Sequence, residues 1–203
     1  MRAAAVTALV ALCLPCLDAC GGSIPSYPWP KEPDPTRAEI ELGVGDVVGI
    51  TVWDNRDFNT DATVRADGTI TIPLIGDLKA AGSTPSMLRK AIKDRVEQFI
   101  KFPEGQNFVT VMLKTWRSYR WTIQGEVTRQ GVFTSDHYVR VSEAIAQAGG
   151  PSRFARRERL VLFRYDAATR QTKRIPLHYD LIVSGERPDM DIFVLANDVI
   201  YIP

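Results

Sequence analysis

Residues 42–78, LGVGDVVGITVWDNRDFNTDATVRADGTITIPLIGDL, leave the chain few choices of fold. Two runs of strand character, Val47–Trp53 and Thr69–Leu74, are each introduced by a glycine-bearing turn, Gly43-Val44-Gly45-Asp46 and Ala66-Asp67-Gly68. Such turns need residues that accept positive φ, which Gly43, Gly45, Asp46, Asp67 and Gly68 supply at low cost. Ile70, Ile72 and Leu74 alternate with Thr69, Thr71 and Pro73, predicting one buried and one wetter face. Val48, Ile50 and Val52 alternate likewise, but Val47 and Trp53 make the second face partly apolar. Something must therefore pack over both faces.

The packing partner follows in sequence. Thr84 is a good N-cap with Pro85 at the first helical position, and Leu88, Ile92, Val96 and Phe99 recur at three- and four-residue spacing beside Ala91. Arg89, Lys90, Lys93, Asp94 and Glu97 face away, so this is a helix lying on a sheet rather than on a membrane surface. After a turn at Pro103-Glu104-Gly105, Phe108–Trp116 predicts another strand, with Tyr119–Gly125 as its neighbour. The first domain then reads strand, loop, strand, helix, strand, an α+β unit.

These motifs resemble the export domain of outer-membrane polysaccharide export proteins of the Wza type, which share the order LGxGDxxxITVW, a polar loop with a Phe, and xxDGTIxxPLIGxLxxxGxTPxxL. Val44 stands where that family has proline. Further on, Trp121–Val127, Gln130–Phe133 and Val141–Gly150 resemble the SLBB module, a small β-grasp-like fold named for soluble-ligand binding. In that module Ser142 is expected to cap a short helix with Ala144, Ile145 and Ala148 on one side, ended by Gly149-Gly150-Pro151. Glu158–Tyr165 and Thr172–Leu177 alternate as strands around the turn Asp166–Thr169. The ending Leu195–Pro203 is similar to the family's L-x-x-G-D-x-I-x-V-P, with Asn197, which also tolerates positive φ, in place of glycine before Asp198. Leu195–Ile200 echoes Leu42–Val48 as a reused turn chemistry. The expected fold class is α+β, a small α/β export domain followed by a β-grasp-like SLBB domain.

The start of the chain bears on location. Arg2 precedes the almost wholly apolar Ala3–Leu17, a secretory signal too short for a spanning helix. Leu17-Asp18-Ala19-Cys20 resembles a bacterial lipobox, which implies cleavage before Cys20 and a diacylglycerol on its sulfur. The three cysteines, Cys13, Cys16 and Cys20, all lie in this region, so the exported chain has no pair for a disulfide. Gly21–Arg37 holds Pro25, Pro28, Pro30, Pro33 and Pro35, which reads as a semi-rigid spacer lifting the folded part off the membrane. Tyr27 and Trp29 within it are read as recognition, interfacial or packing aromatics. The expected division is a lipoprotein signal at residues 1–19, a linker at 20–37, an export domain at 38–117 and an SLBB-type domain at 118–203.

Catalytic signals are weak. His137 and His178 are the only histidines, and neither has partners at metal-ligand spacing. Asp54, Asp57, Asp61 and Asp67 cluster in a turn-rich segment and read as turn and solubilising residues rather than a glycosidase pair. Gly43-Val44-Gly45 lacks a third glycine and precedes a strand, whereas a phosphate-binding loop must open a helix. No cofactor and no metal are expected, and the chain is read as working by assembly rather than by catalysis. A net charge of +1, from 25 basic and 24 acidic residues, argues against nucleic acid as partner.

One charge run stands out. Arg153, Arg156, Arg157, Arg159, Arg164, Arg170, Lys173 and Arg174 fall close together, opposed only by Glu158 and Asp166. It is a candidate surface for an anionic polysaccharide or a neighbouring subunit, with a solvated strand face as the alternative. The family resemblance implies a ring of identical subunits, lipid-anchored in the outer membrane and facing the periplasm, through which capsular or exopolysaccharide passes from an inner-membrane copolymerase. The chain stops at Pro203 without the amphipathic helix of full-length members, which implies a separate outer-membrane protein such as a β-barrel. The alternative is a monomeric lipid-anchored saccharide-binding module, with Trp116, Tyr119 and Trp121 as candidate stacking faces.

Overall fold

The structure, a computed structural model, describes residues 26–99, 108–167 and 169–203. The expected signal sequence, Cys20 and the turn at Pro103-Glu104-Gly105 lie outside the described residues. In chain order the first half forms β1 (Val47–Val52), β2 (Thr60–Thr63), β3 (Thr69–Ile72), β4 (Gly76–Lys79), α1 (Pro85–Val96) and β5 (Val109–Thr115). An antiparallel sheet runs β2-β1-β5, with Val48 opposite Ala62 on one side and Leu113 on the other. β3 and β4 form a separate hairpin, and α1 packs against β5 and β4. Thr84 caps α1, its hydroxyl accepting the Met87 N–H, and Leu88, Ile92 and Val96 are buried on the helix's inner face.

Three expectations for this half need correction. Leu74 does not continue the buried face of Ile70 and Ile72; it is 66% exposed at a φ of +64°. The Ile75 N–H bonds back to the Pro73 and Ile72 carbonyls, so the chain turns there into β4, and Ile75 takes the buried place. Phe99 lies beyond the end of α1 and is exposed, with its ring 6.5 Å from that of Phe58. Trp53 falls outside β1 and is 72% exposed, so that end of the sheet's second face is not covered.

The second half forms β6 (Arg120–Gly125), β7 (Gly131–Thr134), α2 (Val141–Gln147), β8 (Leu160–Asp166), β9 (Gln171–Leu177), α3 (Tyr179–Val183) and β10 (Val199–Ile202). Its five-stranded sheet runs β7-β6-β10-β8-β9, with β6 and β10 parallel and all other pairs antiparallel. β6 is therefore not the neighbour of β5. It sits beside the last strand instead, where Trp121, Ile123, Ile200 and Ile202 all turn into one buried cluster. Gly125 ends β6 at a φ of +94°, and a Cβ there would lie 2.0 Å from the Ile202 carbonyl oxygen, so only glycine lets the strands close. α2 starts two residues earlier than expected, with Arg140 rather than Ser142 at the cap position. Ser142 lies in the first turn, where its N–H and hydroxyl both donate to the Asp191 carboxylate, at 2.9 and 2.8 Å. A distant carboxylate thus does the capping.

The proline-rich segment is not a spacer along its described length. Residues 26–37 fold against the second half as two short 3₁₀ turns, Trp29–Lys31 and Pro35–Arg37. Trp29 is 3% exposed within the second core, and its indole N–H donates to the Pro176 carbonyl at 2.8 Å. Burying a tryptophan contributes roughly 4 kcal/mol gross at about 25 cal/mol per Å2. Prolines have already restricted this chain, so ordering it costs less than usual. Among the described residues no helix is long and apolar enough to cross a membrane.

Candidate functional site

The two cores meet at the Gly43–Asp46 turn. Asp46 is fully buried, and one carboxylate oxygen accepts the Arg117 and Ser118 N–H groups at 2.8 and 2.7 Å. The other accepts the Gly43 N–H and the Ser118 hydroxyl, both at 2.8 Å. Gly43 is required by close approach, since a Cβ would lie 2.3 Å from the Ser118 Cβ. The turn that starts β1 therefore also holds the segment leading into β6.

Beside this joint lies a cavity of about 340 Å3, lined by Pro35, Glu39, Glu41, Trp116, Tyr138 and Leu195 among others. Trp116 is half-buried, stacked on Tyr119 at 4.5 Å and edge-on to Tyr138 at 4.9 Å. Tyr119 is buried, donates its hydroxyl to the Val194 carbonyl at 2.9 Å and accepts the Val139 N–H at 3.1 Å. Burial pushes its phenol up to about 12. The Tyr138 phenol is raised by burial and then by the charge of Glu41. Glu39 accepts the Ser86 N–H at 3.0 Å, and hydrogen bonds led by Thr84 hold its carboxyl below the ordinary value. The cleft offers aromatic surface and carboxylate acceptors.

A second joint forms at the Leu195–Asp198 turn. Asn197 takes a φ of +66°, and Asp198 accepts the Leu195 N–H at 2.7 Å. Asp198 is 1% exposed and is gripped by Arg164, from Nε at 3.1 Å and from a terminal nitrogen at 2.6 Å. The same guanidinium donates to Glu32 at 2.8 Å and to the Phe193 carbonyl at 2.7 Å. Lys173 and Tyr27 also bond to Glu32. Burial raises the Asp198 carboxyl despite the pull of Arg164. Burial also opposes ionisation of Glu32, but its bonds to Lys173 and Tyr27 and the nearby cations hold it below the usual range.

Residues 34–114 match the family model of polysaccharide biosynthesis/export proteins, and residues 120–174 match the SLBB domain. The chain belongs to the polysaccharide export protein family. Its role lies in polysaccharide export or binding in the cell envelope. The SLBB sheet is closed by β10, past the end of the matched stretch, and Trp116, Ser118 and Tyr119 of the cleft lie in the short link between the two matches.

The residues singled out in the sequence are dispersed over both domains. Gly43, Gly45 and Asp46 build the joint, with Gly45 at a φ of +93°. Asp67 and Gly68 serve a separate turn of the export domain, where Asp67 accepts the Thr69 N–H and the Arg65 guanidinium, both at 2.9 Å. Those bonds, Arg65 first, hold the Asp67 carboxyl well below the usual range. Arg153, Arg156, Arg157 and Arg159 are exposed on the SLBB segment before β8, and none lines the cleft. Arg157 lies 3.6 Å from Asp180, and Arg153 covers the Phe154 ring. The wider basic run does not form one face, because Arg164 is buried and Lys173 is tied to Glu32. Trp121 is a core residue away from the cleft, Tyr119 is buried and forms its floor, and of the three candidate stacking aromatics Trp116 is the one that is partly exposed there. His137 is exposed between Asp136 and Glu143, and His178 accepts the Leu181 N–H at the start of α3.

The sequence did not single out Glu32, Glu41 or Tyr138, and it placed Arg164 in the exposed basic run rather than in the core. For Arg164 a signal existed: at period two it shares the inward face of Leu160 and Leu162. Glu41 and Tyr138 carried no such signal, since they meet only across the domain junction.

Proposed function

We propose that this protein is a lipid-anchored subunit of an export path for capsular or exopolysaccharide, working by assembly rather than catalysis. Residues 38–117 form its export domain and residues 118–203 its SLBB-type domain. Cys20 carries the lipid, and two or more acyl chains make such anchoring effectively permanent. Identical subunits contact one another head to tail and close into a ring, which receives polymer from an inner-membrane copolymerase. Arg153, Arg156, Arg157 and Arg159 contact the polymer or the next subunit.

The observation that carries this reading is the succession of an export-family domain and an SLBB domain, joined through the buried Asp46 carboxylate. A joint satisfied on all sides suits a subunit that must repeat one geometry around a ring. The cleft at that joint favours a second reading, a monomeric lipid-anchored saccharide-binding module.

The deciding measurement is the mass of the detergent-extracted protein by light scattering, with cross-linking in intact cells. A closed oligomer that cross-links to an inner-membrane protein supports the conduit. A monomer in both settings overturns it in favour of the binding module.

A further inference from the structure

We infer that the cleft between the export and SLBB domains is a subsite for uncharged sugar rings of the polymer, with Trp116, Tyr138 and Glu41 as its contact residues. The inference rests on the polysaccharide role proposed above and adds to it a place and a chemical class.

Size and position come first. The cavity, about 340 Å3, lies within the range of roughly 300–1,000 Å3 typical of small-ligand sites, and it sits at a domain junction, where such sites concentrate. The lining chemistry is more selective. Trp116 and Tyr138 supply aromatic surface for the apolar C–H face of a pyranose ring, and Pro33, Pro35 and Leu195 extend that apolar wall. Among the described residues, no hydrogen bond ties the Trp116 indole N–H, the Tyr138 hydroxyl or the Glu41 carboxylate to another side chain or backbone group. They add one donor, one group of both kinds and one strong acceptor, which is what sugar hydroxyls need. Tyr119, by contrast, spends its hydroxyl on Val139 and Val194 and serves as a floor.

Charge decides the class. Among the described residues the lining includes Glu39 and Glu41 and no lysine or arginine. A uronic acid or a phosphorylated or sulfated unit would bring like charge against two carboxylates, an arrangement that rejects anions. The exposed arginines, Arg153, Arg156, Arg157 and Arg159, lie outside the cleft, so any contact with acidic units takes place elsewhere.

The test uses the full detergent-extracted chain with neutral gluco-, manno- and galacto-hexasaccharides, and with oligogalacturonate of the same length as the anionic counterpart. Saturation-transfer NMR and tryptophan fluorescence report binding. At least one neutral hexasaccharide should bind saturably in the millimolar range, about tenfold tighter than oligogalacturonate. Glu41→Gln and Tyr138→Phe should each weaken it about three- to tenfold. Glu41 is exposed, so its variant keeps the fold and the light-scattering mass. Absence of binding by every neutral hexasaccharide, equal binding of oligogalacturonate, or unchanged affinity in both variants overturns the subsite. An oligomer that binds no sugar sinks the subsite alone, whereas a monomer that binds sugar sinks the conduit alone.

Discussion

In the Gly43–Asp46 turn and in the Leu195–Asp198 turn alike, a buried aspartate accepts the backbone N–H three residues before it, at 2.8 Å from Gly43 and 2.7 Å from Leu195. The two carboxylates then part company. Asp46 is satisfied by the Arg117 and Ser118 N–H groups and the Ser118 hydroxyl, and among the described residues no cation touches it. Asp198 is met by Arg164, which also bonds to Glu32 of the N-terminal segment. One device locks two domains together through backbone dipoles. The other ties the chain's N-terminal segment, β8 and the final turn through a buried ionic network. The difference teaches that a turn motif specifies its own hydrogen bond and nothing about how its charge is balanced.

The largest effect should come from breaking the ionic side. Arg164→Met keeps the volume but leaves Asp198 buried without its cation and Glu32 with Lys173 alone, and should cost about 3–5 kcal/mol in urea denaturation. Adding Asp198→Asn and Glu32→Gln to that variant should restore most of the loss, because the buried negative charges go with the positive one. If the triple variant is no more stable than Arg164→Met, the cost is one of packing and the electrostatic contrast fails.

A smaller effect belongs to the dipolar side. Asp46→Asn turns an NH2 group toward backbone donors and should cost about 2 kcal/mol. Hydrogen exchange should speed up at the Arg117 and Ser118 amides and leave the Leu195 amide protected. Exchange rising at both turns would mean that the joints are one cooperative unit, which double-variant stability would confirm by non-additivity.

The smallest effect calibrates the pair against an exposed ion cluster. Hydrogen bonds that the His137 ring donates to Asp136 and then to Glu143 raise its pKa above the ordinary value of 6.5. A raised histidine pKa contributes stability that is fully present below about 6.5 and lost as pH rises through the folded value. NMR titration of the His137 ring should give a midpoint above 6.5, lowered by Glu143→Gln. A midpoint at or below 6.5 would show that the ring is not held between the two carboxylates.

Much of the fold was legible, because local rules govern much of it. The Thr84 cap, the alternation of Ile70 and Ile72, and the glycines ending α2 rest on hydrogen bonds or dihedrals within a few residues. The family motifs located both domains for the same reason, being built on such turns and strands. Legibility failed where an apolar residue's fate depended on the next turn. Leu74 fits the alternating pattern, but the bend at Pro73–Ile75 carries it into solvent. Trp29 failed the other way: a proline-rich context suggests extended chain, yet Pro176, far along the sequence, offers its carbonyl and a place in the core.

By itself the sequence determined the family, the α+β composition, the paired glycine–aspartate turns and the capped helix, since these depend on backbone sterics and short-range hydrogen bonds. Only the tertiary structure decided that β6 lies beside β10, that residues 26–37 bind the SLBB domain, and that Glu41, Trp116 and Tyr138 share a cleft. It also chose the partners of Asp46 and Asp198. Burying a charge costs several kcal/mol unless donors converge on it from several directions, and convergence is a property of chain segments brought together in space.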